Sequence, residues 1–84
     1  MINILVAADD TARLMQIARL VTDSGHYRVT RAHGRPSQIE HRTDGLDSFD
    51  ILLIDGALTD AAELSAIERI CRLHPCLIGI LVTA

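Results

Sequence analysis

The chain alternates between strand-like and helix-like patterning three times. Ile2 to Ala8 is an apolar run that stops abruptly at Asp9-Asp10. After it, Leu14, Ile17, Ala18 and Val21 recur at i, i+3, i+4 and i+7, which predicts a helix over Thr11 to Ser24 with that stripe facing inward. Asp10 or Thr11 can cap this helix and Gly25 can end it. Tyr27 to Ala32 alternates apolar and polar residues, as a strand does when one face is wet or when it lies at an edge. His33-Gly34-Arg35-Pro36 turns the chain, and Pro36 suits the first position of a short helix through Ile39. Residues 42–48, around Gly45, read as a loop. Phe49 to Ile54 is a second continuous apolar strand, closed by Asp55-Gly56. Asp60-Ala61-Ala62-Glu63 has the form of a capping box. It opens a helix with Leu64, Ile67, Ile70 and Cys71 inward, which Pro75 stops. Leu77 to Val82 is the last apolar run, followed by Thr83-Ala84.

Continuous apolar strands alternating with helices imply a parallel sheet covered on both faces. The first, third and fourth strands read as interior and the second as an edge. The expected fold is therefore α/β and doubly wound, flavodoxin-like, with strand order 2-1-3-4. The fourth strand is apolar at every position, yet no fifth strand follows to cover it. Such an unpaired edge invites association. The chain is thus expected to be a piece of a longer domain, or to form a homodimer through that edge.

Composition narrows the function classes. Eighty-four residues make one domain, and a chain of that size buries roughly 60–65% of its unfolded surface. With 49% hydrophobic and 23% charged residues it is globular rather than disordered. No apolar run approaches the roughly 20 residues of a membrane span, and no basic segment precedes the apolar start, so no signal peptide is expected and the cytoplasm is the expected location. The net charge of −3 argues against nucleic acid, and one Tyr, one Phe and no Trp leave no stacking platform for bases. All eight basic residues are arginine, so lysine chemistry is absent. Arg28, Arg31, Arg35 and Arg42 give residues 25–45 a local positive balance, best read as a wet face that an acidic partner could also use. Cys71 and Cys76 lack metal-ligand spacing and read as small core residues. His26, His33, His41 and His74 read as solvated.

The candidate chemistry lies where the strands end. Ligands of open parallel sheets bind at the carboxyl ends of the strands, and three strands end here in Asp9-Asp10, Asp55 and Thr83. Carboxylates converging in one crevice require a cation, and a hard ion with oxygen ligands, Mg²⁺, is the natural choice. Each residue also has a plainer reading: Asp9 and Asp10 as helix caps, Asp55-Gly56 as a turn, Thr83 as the β-branched end of a strand. No Gly-x-Gly-x-x-Gly, Gly-x-x-x-x-Gly-Lys or Gly-x-Ser-x-Gly motif is present, which removes dinucleotide, P-loop and α/β-hydrolase chemistry.

Leu5-Val6-Ala7-Ala8-Asp9-Asp10, Phe49-Asp50-Ile51-Leu52-Leu53-Ile54-Asp55 and Ile80-Leu81-Val82-Thr83-Ala84 together resemble the CheY-like receiver domain of bacterial response regulators. The resemblance covers the whole chain and the first four of the family's five βα units. It implies that Asp55 accepts a phosphoryl group from a sensor histidine kinase or phosphotransfer protein. Asp9, Asp10, Asp55 and the Ala57 carbonyl would hold Mg²⁺, Thr83 would be the switch hydroxyl, and small Ala84 would leave room for the phosphate. In such a transfer, positioning and charge neutralisation matter more than covalent catalysis, and the domain is a phosphoacceptor rather than an enzyme. The chain departs from the family pattern at Ala8, which takes the place of the first acid in many receivers, and at Ala57-Leu58. The stretch Leu64 to Thr83, with Glu-Arg-Ile-Cys-Arg-Leu-His-Pro, is also similar to the N-terminal receiver of TadZ or CpaE pilus assembly proteins. That likeness implies a degenerate, non-phosphorylated domain for protein interaction and localisation, with a C-terminal output or MinD/ParA-like ATPase domain missing from this chain.

Overall fold

The computed structural model describes residues 2–22, 25–41, 43–58 and 60–83. Four parallel strands, β1 (Ile2–Ala8), β2 (Tyr27–His33), β3 (Ile51–Asp55) and β4 (Ile78–Val82), hydrogen-bond in the order β2-β1-β3-β4. The helices are α1 (Thr11–Thr22), α2 (Pro36–Ile39), α3 (Thr43–Leu46) and α4 (Ala61–Leu73). This is the expected α/β, flavodoxin-like winding.

The apolar runs of β1 and β3 are continuous because both of their faces are covered. Ile4, Val6, Ala8 and Leu53 pack with Leu14 and Ile17 of α1. The alternate positions Leu5, Ala7, Leu52 and Ile54 pack with Ile39, Leu46, Ile70 and Leu77 on the opposite side, as the two-residue period of a strand requires. Ile17 and Ile70 are essentially inaccessible, and burying a side chain of that size contributes about 1.5–3 kcal/mol.

Local signals set the ends of the helices. The Asp10 carboxylate accepts the Ala12 N–H at 3.0 Å, and its carbonyl accepts the Leu14 N–H at 2.9 Å, so Asp10 opens α1. α1 runs to Thr22; Asp23 and Ser24, placed in the helix by the sequence pattern, lie outside the described residues. Gly25 follows at φ 72°, the left-handed region that favours glycine. Asp60 caps α4 by accepting the Glu63 N–H at 3.0 Å.

The structure corrects several sequence expectations. Residues 43–46 form a helical turn rather than loop, anchored by Leu46, which is buried in the core. In α4 the inward face is Glu63, Ala66 and Ile70, with Ile67 half-buried, while Leu64 is exposed. Cys76 is exposed and Cys71 only partly buried. His74 is buried rather than solvated and is hydrogen-bonded to Asp47. β4, interior by pattern, is the outer edge of the sheet, with Ile78, Ile80 and Leu81 exposed. Among the described residues no helix is long and apolar enough to cross a membrane.

Candidate functional site

The pairings Ala7 with Ile54 and Asp55 with Val82 bring the carboxyl ends of β1, β3 and β4 level. Asp55 closes β3 and is 4% exposed. Its Oδ1 accepts two hydrogen bonds, from Arg13 Nε at 3.2 Å and from the Ala57 N–H at 3.1 Å. Arg13 stands on the first turn of α1, beside the strand ends, and its Nη2 donates to the Val82 carbonyl at 3.2 Å. The Gly56 N–H donates to the same carbonyl at 2.8 Å. A Cβ on Gly56 would stand 2.9 Å from that oxygen, so only glycine permits this approach of the two strand ends. The corner is thus stitched from three elements: α1 through Arg13, the end of β3 through Asp55 and Gly56, and the end of β4 through Val82.

The other acids take different partners. Asp9 pairs with Arg35, Oδ2 to Nε at 3.3 Å, with both side chains partly exposed. The Asp10 carboxylate is turned to the start of α1. Among the described residues no three His, Cys, Asp or Glu side chains gather into a metal-binding group. Mg²⁺ demands oxygen ligands in near-octahedral array, whereas Asp55 Oδ1 faces two N–H donors, one of them cationic. The residues present do not fit a divalent ion. Of the other expected site residues, Ala57 is exposed and offers its N–H to Asp55. Thr83 is exposed, with its Cγ2 against Gly56. Ala84 lies outside the described residues.

Arg13 is the residue that sequence reasoning missed. A cation in the first turn of a helix opposes the helix dipole, and that local conflict was the available signal. A second polar pair lies away from this corner, between α4 and the end of α2. Arg69 donates through Nε at 2.8 Å and Nη2 at 2.7 Å to the two carboxylate oxygens of Glu40. These hydrogen bonds hold the Glu40 carboxyl below the usual carboxylate range and raise Arg69 above its ordinary value.

No protein-family model matches the chain, and no curated protein does either. Two crystal structures do. One is a protein assigned to pilus assembly (CpaE) from Burkholderia thailandensis E264, 63% identical over 96% of this chain, with a TM-score of 0.92. The other, assigned a pilus-assembly-related role in Burkholderia pseudomallei K96243, is 65% identical over 99% of this chain, with a TM-score of 0.93. This chain is similar to both proteins in sequence and in fold. It spans 66% and 62% of the lengths of those two chains, so the likeness to CpaE concerns this domain and not the whole of either protein.

Proposed function

We propose that the chain is a degenerate receiver that serves pilus assembly as an interaction and localisation domain, without phosphorylation of Asp55. Two things support this reading: the CpaE likeness in both sequence and fold, and, as the observation that carries it, the Arg13–Asp55 pair. A phosphoacceptor carboxylate must be open to the incoming phosphoryl group, with a cation placed to neutralise it. Asp55 is instead buried, with Oδ1 already taken by a guanidinium and a backbone N–H. On this reading the domain's partner is an attached ATPase domain or a pilus component, not a sensor kinase.

The test is chemical and cellular. Incubated with acetyl phosphate and Mg²⁺, the protein should carry no phosphoryl group by intact mass. Cells whose full-length protein bears Asp55→Asn, at matched abundance, should assemble pili as the parent does. A phosphoryl group on Asp55 together with loss of pili in Asp55→Asn would restore the phosphorelay reading.

A further inference from the structure

We propose that Arg13 is a resident cation, taking at Asp55 the place a divalent metal would need and latching the end of β4 to it. The assignment shares the Arg13–Asp55 pair with the reading above, but its test reads metal access and exchange at the corner rather than phosphorylation or pili.

Three observations converge on Arg13. Its Nε is 3.2 Å from Asp55 Oδ1, and only 6% of the Asp55 side chain is accessible, so the ion pair lies where solvent screening is weak. Its Nη2 reaches the Val82 carbonyl, so one guanidinium, with its planar fork of donors, spans the end of β3 and the end of β4. The remaining acids of the corner are engaged elsewhere, Asp9 by Arg35 and Asp10 by the α1 backbone. A carboxylate so buried needs a compensating charge, and a covalently attached arginine supplies it at every moment. A metal ion entering this pocket would have to displace the guanidinium and would then stand beside its positive charge. Removing Arg13 should therefore do two separable things: open Asp55 to cations and loosen the Gly56–Val82 junction.

Both effects are read by backbone NMR with Mn²⁺ as a paramagnetic probe. In the wild-type chain the Gly56 and Ala57 amides should stay sharp at Mn²⁺ concentrations that selectively broaden them in Arg13→Gln. Arg13→Lys, which keeps the charge, should remain as unresponsive as the wild type. In Arg13→Gln the Gly56 amide should exchange with solvent at least about tenfold faster, while amides of central β1 hold their rates. Selective broadening of Gly56 and Ala57 in the wild type overturns the proposal, and that titration needs no substitution should Arg13→Gln fail to fold. A folded Arg13→Gln that neither gains broadening nor speeds Gly56 exchange overturns it equally.

Discussion

Ser37 gives both of its donors to Glu63: its backbone N–H lies 2.9 Å from Oε2 and its hydroxyl 2.8 Å from Oε1. Glu63 is 4% exposed, so a charged side chain on the inner face of α4 binds the start of α2, a helix of only four residues. The carboxylate adds a polar tie to a helix whose Pro36 and Ile39 are already buried. Glu63→Ala would leave both Ser37 donors, which are partly buried, without their acceptor and should cost about 2–3 kcal/mol. Glu63→Gln, which keeps one acceptor oxygen, should cost about 1 kcal/mol. Urea denaturation of the two variants checks the order, and an equal cost for both would deny the carboxylate this role.

Arg13 and Asp55 should be energetically coupled. Cutting either side chain leaves the other without its partner, so the loss from Arg13→Gln and the loss from Asp55→Asn overlap. A double-mutant cycle followed by thermal or urea unfolding should give a coupling of about 1–3 kcal/mol, as for contacting groups in one network. Fully exposed pairs give less than about 1 kcal/mol, and an additive cycle would reduce this pair to that class.

Much of the fold was legible because Ile4 to Ala8 of β1 and Ile51 to Ile54 of β3 are unbroken apolar runs, as strands of a sheet covered on both faces are. The strand order followed from the polar alternation of β2. What escaped was hidden by charge. The inward stripe of α4 is Glu63, Ala66, Ile67 and Ile70, a regular helical series headed by an acid; reading hydrophobicity alone moved it one position to Leu64. Residues 43–46 contain Gly45 and have weak helical propensity, so the turn owes its place to the burial of Leu46. The candidate site was legible in position but not in partners. The strand ends did mark the corner, while the cation that fills it comes from α1, and no pattern of apolar residues announces that.

The Glu40–Arg69 pair gives an acid-limb prediction. Hydrogen bonding from Arg69 lowers the folded-state pKa of Glu40, so its contribution is complete above the unfolded value, about 4.3, and is lost as pH falls through the lower folded value. Stability should therefore fall on acidification below about pH 4.3 more steeply in the wild type than in Glu40→Gln. Because both groups lie at the surface, added salt should weaken the difference. Parallel acid-unfolding curves for the two chains, at low and at high salt, would exclude this contribution.

The β4 edge makes the last prediction. Ile78, Ile80 and Leu81 are 59%, 42% and 44% exposed on a strand whose outer edge has no partner within the sheet. That strand holds no proline or charged residue to blunt pairing. Backbone groups along the edge need hydrogen bonds, and a second copy of β4 can supply them while covering the same isoleucines. The 84-residue chain should therefore self-associate with rising concentration, seen as growth of the weight-average mass in sedimentation equilibrium. Ile80→Lys should return it to a monomer with unchanged circular dichroism, because Ile80 belongs to neither buried cluster and a charge on an edge strand opposes pairing. A wild-type chain that stays monomeric at millimolar concentration would show that β4's apolar edge is tolerated in water. Association that persists in Ile80→Lys would move the contact to another surface.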